Sequence, residues 1–297
     1  MSLSRRFAAA ALVTALLASS GAHAQAGAKL PEQGDERFWV LGIAGLLDDA
    51  SNSGLLATFG YAPTSANWLS AAVGQSRSPE RGANVVADTL ELGFEHDFGP
   101  VGLGLTGERW GDSGDLESVD WRASLFFGNE RYRITFERER RNIDLYFTIT
   151  GPLGRTDRRG IGLDANGNTL RLRVDVAPLW QLYGTATRYR YSRDVSLLPR
   201  IASLNLLSSS TLTLANSFVD EYWNLGSERT LGNRLLSFGL SRDRSAVDGS
   251  TYRSVNAAFL LPVAPRMDLE LNLGRSESDL LQGGYYGGIQ LFIYGGG

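Results

Sequence analysis

The 297-residue chain has no cysteine, only one lysine (Lys29) and only two histidines, His23 and His96. Without cysteine it has no disulfides, no thiolate metal sites and no cysteine nucleophile. With so few histidines, most histidine-based catalysis and metal binding lose their usual residues. Beyond the N-terminus there is also no apolar run of the ~20 residues that a membrane-spanning helix needs. A basic excess is missing too. Basic residues number 29 and acidic residues 32, a formal charge of -3, which is no nucleic-acid footprint.

The N-terminus does carry a pattern. Arg5 and Arg6 precede an apolar stretch, Phe7 to Leu17, interrupted only by Thr14. Ala22-His23-Ala24 follows as an A-x-A site, so residues 1–24 read as a cleaved secretory signal and the mature chain begins at Gln25. Cleavage removes Arg5 and Arg6, leaving 27 basic against 32 acidic residues, or -5, and leaves His96 as the single histidine. Residues 25–36 form a short polar lead-in, and residues 37–297 form one domain.

Within that domain the dominant period is two. Leu170, Leu172, Val174 and Val176 alternate with Arg171, Arg173 and Asp175. Leu269, Leu271 and Leu273 alternate with Asp268, Glu270 and Asn272, and Leu90, Leu92 and Phe94 with Glu91, Gly93 and Glu95. Such strands place one face in apolar and the other in polar surroundings. The repeat is roughly 10 residues and a turn, the length of a tilted transmembrane strand. Fourteen strands are expected, with twelve to sixteen allowed. They start near Arg37, Ser53, Asn67, Ala87, Val101, Glu117, Arg131, Asn168, Leu179, Thr211, Arg234, Thr251, Arg266 and Gly283. Arg131 to Ile149 reads either as one long strand or as two with a turn at Arg140-Arg141-Asn142. Short turns such as Phe98-Gly99-Pro100 and Ala177-Pro178 alternate with longer polar segments, including Ser76 to Val86, Gly151 to Asn168 and Asp194 to Ser210. Trp39, Trp68, Trp110, Trp121, Trp180 and Trp223, with Tyr189, Tyr191, Tyr285 and Tyr294, fall near strand ends, as interfacial girdles do.

These features together resemble Gram-negative outer-membrane β-barrels as a class. The last strand, Tyr286-Gly287-Gly288-Ile289-Gln290-Leu291-Phe292-Ile293-Tyr294, looks like the C-terminal segment read by barrel-assembly machinery, although Gly295-Gly296-Gly297 follows it. The resemblance implies a single antiparallel transmembrane β-barrel in the outer membrane, in contact with lipid and lipopolysaccharide, with both termini and the short turns on the periplasmic side. No narrower family is indicated.

Polar alternation assigns the lumen. Arg131, Arg133, Arg171, Arg173, Arg188 and Arg190, extended by Arg122, are expected to form an inward basic wall, each pair sharing a face by i, i+2 spacing. Inward acids are expected at Glu91, Glu95, Asp97, Glu108, Asp268 and Glu270. An open lumen of this kind suits a porin-like channel for small polar or anionic solutes. The alternatives are an export conduit for an anionic polysaccharide, a barrel closed by Arg–acid pairing with a structural or assembly role, and a soluble periplasmic β-protein. No catalytic residue, metal ligand or cofactor site is assigned. His96 shares the register of Leu92 and Phe94 and has no serine of suitable context nearby, which argues against a lipase-like or deacylase-like barrel. Asp157 to Asn168 lacks the regular acid spacing of a calcium loop, and Asn166-Gly167 reads as a tight turn. Mass spectrometry of the protein recovered from the outer-membrane fraction should find Gln25 as its first residue; an intact Met1 would refute the cleavage site.

Overall fold

A computed structural model describes residues 38–80, 83–112, 114–150, 156–198, 218–279 and 281–296. The signal segment, the lead-in, Arg37, Thr211 and most of the segment Asp194 to Ser210 lie outside the described residues.

Fourteen strands follow one another: β1 (Phe38–Asp48), β2 (Ser53–Thr64), β3 (Asn67–Glu80), β4 (Ala83–Asp97), β5 (Val101–Asp112), β6 (Leu116–Asn129), β7 (Tyr132–Thr150), β8 (Thr156–Ala177), β9 (Trp180–Tyr191), β10 (Val219–Leu231), β11 (Arg234–Ser245), β12 (Thr251–Ala264), β13 (Met267–Ser278) and β14 (Leu281–Gly296). Each pairs antiparallel with the next, and β1 pairs with β14 to close a barrel. The connections at one end are short: 65–66, 98–100, 130–131, 178–179, 232–233 and 265–266. The other end carries the long connection, 192–218, which contains a 3₁₀ turn at Val195–Leu197. β1 begins and β14 ends at the short-turn end, as an even strand number requires.

The alternation explains why the sheet closes with one face outward to apolar surroundings. Every strand exposes a large apolar side chain on the outside. Leu55 on β2 is 68 % exposed and Leu273 on β13 70 %. Ile43, Leu92, Phe136, Leu225 and Ile289 belong to the same belt. A continuous apolar belt of this size is incompatible with a water-facing surface, so the soluble β-protein expectation fails. A bilayer satisfies it, because only a closed barrel leaves no unpaired strand edge in hydrocarbon.

Two loop expectations need correction. Residues 156–168 are strand, paired with β7 from Thr150↔Thr156 to Arg138↔Asn168. Asn166-Gly167 is therefore no turn: the Asn166 side chain accepts a hydrogen bond from Arg138 (3.2 Å), and Gly167 lies under the Tyr189 ring. Asp157 and Asp164 are both held in this regular ladder. Ser76 to Val86 is likewise paired, out to Glu80↔Ala83. Polar residues beyond the membrane still satisfy their backbones by pairing, so polarity there does not mean loop. Of the two readings of Arg131 to Ile149 the single long strand holds: β7 runs 19 residues without a turn at Arg140-Arg141-Asn142. At ~3.3 Å per residue, the β7–β8 hairpin runs well past a ~30 Å hydrocarbon core.

Glycine and aromatic residues are matched across strands on the inner face. The Trp68 ring covers Gly60, Phe126 covers Gly102, Tyr183 covers Gly226 and Tyr286 covers Gly274. A Cβ at any of these glycines would overlap the ring. Large inward side chains thus lie flat on the wall instead of crossing the lumen. On the outside Trp39 covers Gly295 in the same way, which gives the unusual glycine tail a packing role on β1. The girdle expectation holds for Trp39, Trp121, Trp180, Trp223 and Tyr285, which face out. Trp68, Trp110, Tyr189, Tyr191 and Tyr294 instead lie inside. Gly274→Val should destabilise the barrel by about 1–3 kcal/mol through overpacking. Adding Tyr286→Ala should recover part of that loss, read as the urea midpoint of the detergent-folded protein; no coupling between the two changes would refute the ring–glycine contact.

Candidate functional site in the lumen

The inner face divides into three sectors. From β1 to β3 it carries small or apolar residues, among them Gly42, Ala44, Gly60, Ser70, Ala72 and Gly74. From β4 to β8 it carries ion pairs. From β9 to β14 it carries Tyr, Asn, Ser and acids.

The β4–β8 sector is built by strand parity. β6 turns Ser118, Asp120, Arg122 and Phe126 inward, and β7 turns in Arg133, Glu137, Glu139 and Arg141. Arg122 bridges Glu91 on β4 and Glu108 on β5, the latter at 2.8 Å. Arg133 reaches Glu95 at 3.0 Å, and its guanidinium lies 3.8 Å from the centroid of the Phe126 ring. Arg171 on β8 pairs with Glu137 at 3.3 Å. Deepest is Arg141, which contacts Glu139 at 2.6 Å and Asp120 at 3.3 Å; these two carboxylates are only 4 % and 1 % exposed. The Tyr189 hydroxyl accepts from Arg141 and donates to Glu139, both at 2.7 Å, while Ser118 and Trp110 donate to Asp120. Every one of these pairs stays within five adjacent strands.

The expected acids Glu91, Glu95, Glu108, Asp268 and Glu270 all face inward, and so do Arg122, Arg133, Arg171 and Arg173. The basic wall itself needs correction. Arg131 sits in the 130–131 turn, where its backbone amide donates to Asn129. Arg188 and Arg190 face outward. They continue the outer parity of Leu182, Gly184 and Ala186 on β9, where the strand has risen past the apolar belt, and Arg188 lies 3.7 Å from outward Glu221. Inward positions of β9 hold Tyr183, Thr185, Thr187, Tyr189 and Tyr191 instead. The reading missed Asp120, Glu137, Glu139, Arg141, Glu228 and Asp243. Extending the inward parity of Arg133 along β7 would have found three of them.

The long-loop end is different in character. Val195, Leu198 and Phe218 from the 192–218 connection and Val247 from the 246–250 turn are buried against Trp110, Leu116, Ile143, Leu145 and Leu163. Phe218 stacks on Tyr191 (5.8 Å between centroids) and meets Trp110 edge-on. This apolar cluster reaches from Val85 on β4 to Val247 beyond β11 and narrows that mouth. His96 plays no part in the lumen: its Nδ1 lies 2.8 Å from Asn67 Oδ1 on the outer side, near the short turns.

The architecture is that of outer-membrane β-barrels. A solved loop-deletion variant of OmpT, an outer membrane protein of Vibrio cholerae, superposes with a TM-score of 0.50 at 7 % identity, over 87 % of this chain and 98 % of that one. OccK3 of Pseudomonas aeruginosa gives 0.42 at 9 % identity, over 88 % and 95 %, and the KdgM porin with disordered oligogalacturonate gives 0.42 at 9 %, over 86 % and 98 %. No protein-family model and no curated protein sequence matches the chain. At these identities the likeness is one of fold.

Removing Arg141 strands two carboxylates that are almost wholly buried. Arg141→Leu should therefore cost about 3–5 kcal/mol, read from urea unfolding of the folded barrel. The triple change Arg141→Leu, Asp120→Asn, Glu139→Gln should recover most of it; a mild effect of Arg141→Leu alone would show that the network is solvated.

Proposed function

We propose that the protein is a porin-like conduit for small polar solutes, reached by export and assembled in the outer membrane through its C-terminal strand. One observation carries this reading. The bulky inward side chains lie flat on wall glycines, and among the described residues the inward ion pairs run along the β4–β8 wall without bridging across the lumen to β11–β14. A fourteen-stranded barrel is wider than one that side chains fill, so a wall-hugging lining leaves an aqueous path. At the long-loop end the outward Arg138, Arg140 and Arg188 suit contact with anionic lipopolysaccharide headgroups. Pairing of Arg122, Arg133 and Arg171 with carboxylates weakens the case for an anionic polymer as cargo.

A second reading, a barrel closed at one mouth, is favoured by the apolar cluster around Phe218 and Val247. Planar-bilayer recording separates the two. A conduit gives stepwise conductance from the purified protein, and Phe218→Ala should enlarge it or raise its open fraction. Silence from both proteins, each shown to be folded by heat-modifiable gel mobility, favours the closed barrel.

A further inference from the structure

The lumen is not balanced in charge. Besides Arg159, which pairs with Asp157 on the same face at the far end of β8, its inward guanidiniums among the described residues are Arg122, Arg133, Arg141, Arg171 and Arg173. Two of these, Arg122 and Arg141, are each shared by two carboxylates. Arg133 and Arg171 hold one each. The six carboxylates engaged in this way already outnumber the five guanidiniums.

The opposite sector adds acids and no bases. Inward positions of β9 to β14 carry Glu228, Asp243, Asp268 and Glu270, while the arginines of these strands, such as Arg229, Arg242, Arg253 and Arg275, alternate outward. Among the described residues no cationic side chain comes within ion-pair distance of Asp243 or Glu270. Asp268 accepts a hydrogen bond from the Tyr294 hydroxyl at 3.1 Å. Glu270 faces Gln290 across the β13–β14 ladder and Leu260 across β12–β13, so neither neighbour neutralises it.

We propose that this conduit prefers cations, and that the β10–β13 wall, through Glu270 and Asp243, sets that preference for small monovalent cations. The inference rests on the open-conduit reading above. Physically, an aqueous pore whose wall carries surplus carboxylate concentrates counter-ions of positive sign and repels anions, because the surrounding low dielectric focuses the field into the water. This reverses the anionic preference that seven arginines counted along the sequence suggest.

Reversal potentials across a tenfold KCl gradient test the proposal. The wild-type protein should pass K⁺ several-fold better than Cl⁻. Glu270→Gln with Asp243→Asn should cut that ratio at least twofold while retaining stepwise conductance. Arg242→Gln with Arg253→Gln, which face away from the lumen on β11 and β12, should leave it unchanged. A wild-type pore that conducts with no preference, or prefers Cl⁻, overturns the cation inference and leaves the conduit standing. A conducting double variant with undiminished cation preference overturns the role of Glu270 and Asp243. Folded wild-type protein that never conducts overturns the conduit reading, and the inference with it.

Discussion

The eleven residue pairs that join β1 to β14, from Phe38↔Gly296 to Asp48↔Tyr286, hold the rest of the structure in place. In hydrocarbon an unpaired backbone amide or carbonyl costs several kcal/mol. An open fourteen-stranded sheet would expose two such edges. Closing the ladder removes both and fixes an inside and an outside. Each side chain's environment then depends on one parity choice along its strand. The Trp39 indole on Gly295 lies at this seam, where a bulkier residue than glycine would not fit.

From that closure follows a lining in which size and charge are segregated around the circumference. Small residues occupy β1 to β3, aromatics fold flat onto glycines, and guanidiniums are confined to β4 through β8. Partly buried ions in a narrow lumen are tolerated when paired and hydrogen-bonded, and Arg141, with two carboxylates and a tyrosine hydroxyl, meets that condition. Pairing makes the basic sector a cross-linked wall, and the inward face of β9 to β14 carries acids without inward arginines. Arginine content alone is therefore a poor guide to the sign of the lumen.

The two mouths are built on different physics. The short-turn end is defined by tight connections and needs little packing. At the long-loop end, strands of up to 22 residues carry polar outer faces beyond the belt, and an apolar cluster folds inward between them. Burying Phe218, Leu116, Ile143 and Leu145 fully is a favourable term worth roughly 1.5–3 kcal/mol for each side chain. That cluster narrows the mouth without charge.

Much of this was legible along the chain. Period-two alternation with ~10-residue spacing gave the barrel and strands starting at Ser53, Asn67, Val101, Arg234 and Thr251, because a half-buried strand in a bilayer has no other way to satisfy both faces. The same rule put Glu91, Glu95, Glu108, Asp268 and Glu270 inside. It failed where the membrane ends. Beyond the apolar belt both faces of a strand are polar, so Asp157 to Asn168 read as loop, and Arg188 and Arg190 read as lumen though Leu182 shares their face. Pairing partners, the flat aromatic lining and the Phe218 cluster were decided only in three dimensions. They depend on which strands become neighbours around a closed circle, and local sequence carries no record of that distance.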